Sequence, residues 1–346
     1  MAGNEMTRDD VLSGHAGFSE ESFELTLRPR HFGEFVGQAK VVENLQIWIK
    51  AARHRGEAMD HALFSGPPGL GKTTLANIVA AEMEADIITT SGPGMDRPRD
   101  LAGLLTKLKK GDILFIDEIH RVNVSVAEYL YAAMEDYFID IMIDQGPNAR
   151  SLRLNLEPFT LIGATTREGL LPPPLRARFG VHERLDYYPP VELQQIISNS
   201  ARILGCDIDS DAAGMLAERA RGTPRIANRF LRRIRDVAHA EAAARIDKRI
   251  VESGLKRLGV DESGLSEMDR RIMAAIAGYE GRPVGIKSIA VMVSEEEDTI
   301  EEVYEPYLIQ NGYIEKTPRG RLLTIKGAEM AGKTPVDNGQ KQKGLF

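Results

Sequence analysis

A single cysteine, Cys206, is all the thiol chemistry in a chain of 346 residues, so an internal disulfide framework is excluded and a reducing compartment is the simplest setting. No apolar run approaches the roughly 18 residues of a membrane-spanning helix. No charged-then-apolar leader opens the chain either, and the expected location is cytoplasmic. An excess of one charge is also missing: 44 Lys and Arg stand against 51 Asp and Glu, a net of −7. That balance speaks against a general nucleic-acid coat but leaves room for a local basic patch on phosphate. No internal repeat is found.

What remains is ordinary globular material, 42% hydrophobic and 27% charged. At about 100–200 residues per domain, the length allows two or three separate cores. The first stretch, 1–26, is polar and glycine-containing with no sustained apolar period, and is expected to be a flexible arm. Apolar residues then recur at helical spacing through Val41, Val42, Leu45, Trp48 and Ile49. Short buried strands are expected at His61-Ala-Leu-Phe-Ser65, Ile113-Leu-Phe-Ile116 and Phe159-Thr-Leu-Ile-Gly163, separated by helix-length sequence. Such alternation folds as a parallel sheet, with ligand loops at the strand carboxyl ends.

Between the last two strands, Tyr137-Phe-Ile-Asp-Ile-Met-Ile-Asp144 and Ser151-Leu-Arg-Leu-Asn-Leu156 alternate around the turn residues Gln145-Gly-Pro-Asn148. This predicts an inserted β-hairpin. Pro172-Pro-Pro174 and Pro189-Pro190 then punctuate the chain, and the pattern to residue 258 is helical, as expected of a small all-helical domain. After the linker Asp261-Glu-Ser-Gly264, helices are expected over 268–279, 286–293 and 299–310. Two strand-like runs follow, Tyr313-Ile-Glu-Lys316 and Leu322-Leu-Thr-Ile325, which together suggest a winged helix. The last residues, 333–346, are polar and expected to be a disordered tail.

The chemistry concentrates at the strand ends. Gly66-Pro-Pro-Gly-Leu-Gly-Lys72-Thr73 fits the phosphate-loop pattern between a strand and a helix. Its glycines let backbone N–H groups close around phosphates, Lys72 reaches the β and γ phosphates of ATP, and the Thr73 hydroxyl binds Mg²⁺. The strand ending in Asp117-Glu118 supplies one carboxylate for Mg²⁺ through water and one for the attacking water, which favours hydrolysis over mere binding. His120 is as well explained by a satisfied structural role as by coupling. At Gly163-Ala-Thr165-Thr166-Arg167, Thr166 is favoured to reach the γ-phosphate, with Thr165 the competing choice. A threonine there also suits a helix cap.

Further along, Arg176 and Arg178 are a basic pair that reads as solvated surface unless one is inserted into a neighbour's nucleotide site. Arg225, in Gly222-Thr-Pro-Arg-Ile-Ala-Asn-Arg229, sits at a helix start suited to reaching a phosphate. Lys316-Thr-Pro-Arg319-Gly-Arg321 is a basic turn suited to phosphate backbone, with a solvated charged turn as the rival reading.

Taken together, these residues resemble the AAA+ ATPases, and within them the bacterial motors that drive branch migration of Holliday junctions. The resemblance covers nearly everything from Leu27 to Gly327. It is carried by the phosphate loop, Phe115-Ile-Asp-Glu-Ile-His-Arg121, Ala133-Met-Glu-Asp-Tyr137, Gly163-Ala-Thr-Thr-Arg167, Arg176-Ala-Arg-Phe-Gly180, the Arg221 to Arg229 segment, and Glu305-Pro-Tyr-Leu-Ile-Gln310 through Thr317-Pro-Arg-Gly-Arg321.

That resemblance implies an α/β fold: an AAA+ ATPase domain over 27–187 with the inserted hairpin, a helical lid over 188–259 and a winged-helix DNA-binding domain over 260–332. It implies a homo-hexameric ring on duplex DNA that hydrolyses ATP with Mg²⁺ during recombination and repair. Gly69, Lys72, Thr73 and Thr74 would bind nucleotide, with Leu27, Arg28 and Tyr188 flanking the adenine. Glu135, Asp136 and Tyr137 match a nucleotide-associated stretch whose chemical role does not follow from the residues. Thr166 would be sensor 1, Arg178 the arginine finger acting on the next subunit, and Arg225 sensor 2. The 138–156 hairpin resembles the arm that docks on RuvA, its Ile139, Ile141 and Ile143 suiting a partner surface, while RuvC would join in a resolving complex. Lys316, Arg319 and Arg321 match the DNA-contacting wing, although the family often has arginine where Lys316 stands.

Two other classes compete with a DNA-translocating motor. A clamp-loader-like switch would use ATP to control assembly without sustained translocation, and the basic turn favours the motor without excluding the switch. A protein-remodelling ATPase needs an aromatic pore loop, for which no clear candidate pair is present, and no extra carboxylate cluster accompanies Asp117 and Glu118 to suggest a nuclease.

Overall fold

The structure, a computed structural model, describes residues 20–142 and 151–332. The Gln145-Asn148 turn, Ile143, the tail over 333–346 and most of the expected arm lie outside the described residues. The chain divides into two compact units: residues up to Gly205 together with Gly222–Asn228, and Cys206–Arg221 together with the chain from Arg229 onward.

In the first unit the strands, numbered along the chain, are β1 Ala62–Ser65, β2 Ile87–Ser91, β3 Ile113–Asp117, β4 Phe138–Met142, β5 Ser151–Asn155, β6 Thr160–Thr165 and β7 Val181–Arg184. Five of them form a parallel sheet in the order β2-β3-β6-β1-β7. The central strands are buried along nearly their whole length, as expected of strands covered on both faces. Leu114, Ile116, Phe159 and Leu161 from the sheet region pack with Leu101, Leu105 and Leu130 from helices Pro98–Leu105 and Val124–Asp136. Strands β2 and β7 were not expected. Both are edge strands, β2 half exposed and β7 alternating buried with exposed, so neither offers a continuous apolar run.

Order begins earlier than the sequence suggests. Glu20–Leu27 is a helix rather than part of a loose arm, seated by buried Phe23, Thr26 and Leu27. Eight residues are too few for an apolar period to stand out. The inserted hairpin is present as the antiparallel pair β4 and β5, with Ile139 opposite Leu154 and Asp140 opposite Arg153. One expectation about it fails: Ile139 is fully buried in the core of its own unit and Ile141 packs against that core, so neither is a free partner surface. Among the described residues of the hairpin, Leu152 is the large apolar side chain that is exposed, at 47%.

The helices of the lid expected over 188–259 fall in both units. Helix Pro190–Ile203 belongs to the first, whereas Ser210–Arg219, Lys248–Arg257 and most of Pro224–Ala240 belong to the second. In the second unit, helices Glu267–Ala277 and Ile286–Val293 precede a continuous helical run, Glu297–Thr299, π-helical Ile300–Tyr304 and Glu305–Gln310. Strands β8 Ile314–Thr317 and β9 Gly320–Leu323 then pair antiparallel. Val284 bridges Arg321 by two backbone hydrogen bonds of 2.9 and 2.8 Å, adding a third short strand segment. Helices followed by this ribbon make a winged helix. β9 stops before the expected Ile325 because Thr324 caps the next helix, its hydroxyl accepting from Gly327 N.

Candidate nucleotide site and nucleic-acid interface

The phosphate loop hangs from the sheet. Gly66 N donates to Thr165 O at 3.2 Å, and at a φ of +131° a Cβ on Gly66 would meet Leu185 O at 2.3 Å. Gly69, at φ +77°, is closed in by Thr223 Cγ2 at 2.8 Å and Arg225 Cβ at 3.0 Å. Only glycine fits these turns. Helix Lys72–Met83 follows directly, so its N-terminal amides and dipole face the loop.

Lys72 is 7% exposed. Its ammonium donates to Gly66 O at 2.7 Å and Pro67 O at 2.8 Å. Burial pushes its pKa down from 10.5 to about 8; the charge of Asp117 opposes the shift and that of Arg225 adds to it. Asp117 ends β3, and its Oδ1 accepts from Glu118 N at 2.9 Å. Glu118 has left-handed backbone at φ +47°, and its carboxylate pairs with Arg121 Nη1 at 3.0 Å.

The two threonines at the end of β6 are separated by geometry that their sequence could not express. Thr165 is buried, and its hydroxyl bonds His120 Nδ1 at 3.0 Å and accepts from Arg167 N at 3.0 Å. Thr166 Oγ1 is buried with no hydrogen-bond partner, and its residue lines the same cleft as Lys72.

That cleft has a volume of about 680 Å³ and lies wholly within the first unit. Gly69, Lys72, Thr73 and Thr74 form its phosphate side, with Asp117, Glu118 and Thr166 beside them. Leu27, Arg28 and Tyr188 line it as well. Tyr188 is 4% exposed, its hydroxyl donates to Leu70 O at 3.1 Å, and burial drives its pKa up. Arg225 enters from the start of helix Pro224–Ala240, and Glu24 grips it through contacts of 2.8 and 3.0 Å.

Several lining residues escaped the sequence reading: Glu24, Phe35, Val36, Ile196, Asn199 and Ile203. The last three recur at helical spacing on Pro190–Ile203, a signal that was available. By contrast, Glu135, Asp136, Tyr137 and Arg178 stand outside this lining. Glu135 instead pairs with Arg178 at 2.6 Å, while Arg178 also donates to Pro174 O and stacks over Tyr131 at 5.0 Å.

The wing corrects a second expectation. Arg321 is 7% exposed, and its guanidinium contacts Glu301 at 2.6 Å and Glu305 at 2.8 Å. Lys316 joins the same cluster, 3.3 Å from Glu301 and 3.6 Å from Glu305. Burial alone would raise the Glu301 carboxyl, but hydrogen bonds from Arg321 and Lys316 hold its pKa below the usual value. Arg321 is therefore the buried centre of an ion cluster and not a free contact for DNA. Arg319 is exposed at the tip of the ribbon.

A phosphate loop, an acidic β3 end and a buried polar β6 end on this parallel sheet define a P-loop ATPase of the AAA+ class. Family models match the chain in sequence: the Holliday junction DNA helicase RuvB P-loop domain over 27–185, the RuvB AAA lid domain over 188–261 and the RuvB C-terminal winged helix domain over 262–332. The chain belongs to the RuvB family, the AAA+ ATPases of Holliday junction branch migration. It is 58% identical over 318 residues to the Holliday junction branch migration complex subunit RuvB of Chlorobaculum tepidum, covering 92% of each. The Myxococcus xanthus subunit of the same name is 54% identical over 95% of this chain and 96% of its own length. The solved RuvB branch-migration motor of Thermotoga maritima superposes with a TM-score of 0.82 at 46% identity, covering 90% of this chain and 99% of that one. Among the described residues no helix is long and apolar enough to cross a membrane.

Proposed function

We propose that this chain is the ATP-hydrolysing motor subunit of a Holliday junction branch-migration complex, a homo-hexameric ring on duplex DNA that works with RuvA and, during resolution, with RuvC. The observation that carries the catalytic part is the buried, unpartnered Thr166 hydroxyl in the cleft of Lys72, Asp117 and Glu118. A polar atom left in that condition costs free energy unless a ligand satisfies it.

The reaction is attack of water on the γ-phosphate. The Lys72 ammonium leaves the carbonyls of Gly66 and Pro67 for the β and γ oxygens. Glu118 orients the water once its carboxylate turns from Arg121. Thr166 donates to the γ-phosphate, and Arg225 exchanges Glu24 for it. The donor set suits Mg²⁺: the hydroxyl-bearing Thr73 and the carboxylate-bearing Asp117 line the cleft together. Mg²⁺ binds through few protein ligands plus phosphates and water, and when bound it neutralises charge on the phosphate oxygens.

Arg178 acts on the nucleotide of the next subunit. Its place outside its own cleft, beside Glu135, supports action in trans and makes Glu135 a guide for the finger. Arg319 leads the wing contact with the DNA backbone, Lys316 contributes when it leaves the glutamates, and Leu152 is the apolar contact of the hairpin for RuvA. The test is subunit mixing. Arg178→Ala and Lys72→Ala proteins are each expected to lose at least about 100-fold in ATPase rate. Their mixture regains activity, because a Lys72→Ala subunit still offers its finger to an intact phosphate loop. No recovery at any mixing ratio would overturn action in trans.

A further inference from the structure

We propose that Thr165 is a positioning residue for hydrolysis, its buried hydroxyl tying the sensor threonine to the turn that carries the catalytic glutamate. Three connections meet at this residue. Its carbonyl accepts from Gly66 N at 3.2 Å, fixing the first residue of the phosphate loop. Its hydroxyl accepts from Arg167 N at 3.0 Å, which closes the backbone around Thr166 between them. The same hydroxyl bonds His120 Nδ1 at 3.0 Å, two residues beyond Glu118 in the turn Ile119–Arg121. The hydroxyl can serve both partners at once, because it accepts through a lone pair from Arg167 and shares its remaining capacity with His120.

Close packing supports the link. A Cβ on Gly163 of β6 would approach Ile119 Cδ1 to 3.0 Å, so the turn after β3 lies directly against β6. Thr165 is 1% exposed, which keeps water from replacing either side-chain bond. Thr165 touches no reacting atom in this arrangement. It sets where Thr166 and Glu118 stand relative to each other, and misplacing a catalytic group by about 1 Å can cost on the order of 100-fold in rate.

The inference rests on Thr166 being the γ-phosphate sensor, and the experiment separates the two. Thr165→Val, Thr165→Ser, His120→Ala, the Val/Ala double variant and Thr166→Val are compared for kcat, KM for ATP, affinity for a fluorescent ADP analogue and Tm. Thr165→Val is expected to lower kcat about tenfold with ADP affinity within about twofold of the parent. Thr165→Ser restores kcat, and the double variant is no slower than the slower single one, since both remove the same bond. If Thr166→Val loses kcat while Thr165→Val keeps it, the positioning role fails and the sensor stands. Independent, multiplying losses from Thr165→Val and His120→Ala would also overturn the link, as would a fall in ADP affinity and Tm that matches the fall in kcat. If Thr166→Val keeps full kcat, the sensor assignment and this inference fall together.

Discussion

At the residue scale, the charge on Lys72 is held under strain. Its pKa of about 8 lies well below the ordinary 10.5, so part of the population is neutral just above neutral pH. Phosphate favours the protonated form, so nucleotide binding raises this pKa and takes up a proton wherever the free protein has lost it. The sign follows: above pH 8, ATP affinity falls as pH rises, by up to about tenfold per pH unit. Titration calorimetry at pH 8.5 in buffers of different ionisation enthalpy should show proton uptake. An affinity flat from pH 7 to pH 9.5 would contradict the shift. The same scale shows where sequence reading stopped. Thr165 and Thr166 are chemically identical neighbours, and what distinguishes them, a hydroxyl buried with partners on one and without on the other, is not written in their sequence. That Lys72, Asp117 and Glu118 share one cleft was legible, because spacing and flanking strand pattern place them at neighbouring strand ends.

At the element scale, the wing ribbon depends on an ion cluster that looks, from sequence, like a set of DNA contacts. Removing one partner of a buried pair costs about 3–5 kcal/mol. Arg321→Ala should therefore lower Tm, since Lys316 alone is left to balance Glu301 and Glu305, while Arg319→Ala weakens duplex binding with Tm unchanged. Thermal melts beside salt-dependent DNA titrations check both, and an unchanged Tm in Arg321→Ala would refute the structural role.

The helix Glu20–Leu27 makes a second claim at this scale. Its Glu24 pairs with Arg225 at partly exposed positions, 23% and 58%. Such pairs are worth no more than about 1 kcal/mol, which a triphosphate readily displaces. Glu24→Gln should tighten ATP binding by no more than about fivefold, read as Kd by fluorescence. A weaker Kd would make Glu24 a nucleotide ligand instead. Both elements explain what was legible: β1, β3 and β6 announce themselves through buried apolar runs, whereas β2, β7, Val284 and the Glu20–Leu27 helix are short or half exposed and acquire their structure from neighbours.

At the scale of the whole molecule, the two units carry different chemistry. The residues that line the nucleotide cleft, Arg225 included, all belong to the first, and the winged helix belongs to the second. The second unit is internally braced: Arg221 binds buried Asp269 and stacks over Tyr307 at 4.5 Å, and Arg270 donates to Gly259 O at 3.0 Å. The segment before the winged helix is thus tied to it by polar contacts. Arg178 lies outside the cleft of its own chain, so its proposed role belongs to an assembly. The most direct measurement of the central claim is ATPase rate against concentration of long duplex DNA, with and without RuvA, with Holliday junction dissociation followed in the same samples. The account predicts DNA-stimulated hydrolysis and RuvA-dependent dissociation, both lost in Glu118→Gln while ATP binding remains. Junction binding that depends on ATP but proceeds to no dissociation, with hydrolysis indifferent to DNA, would contradict a motor and make the chain a nucleotide switch.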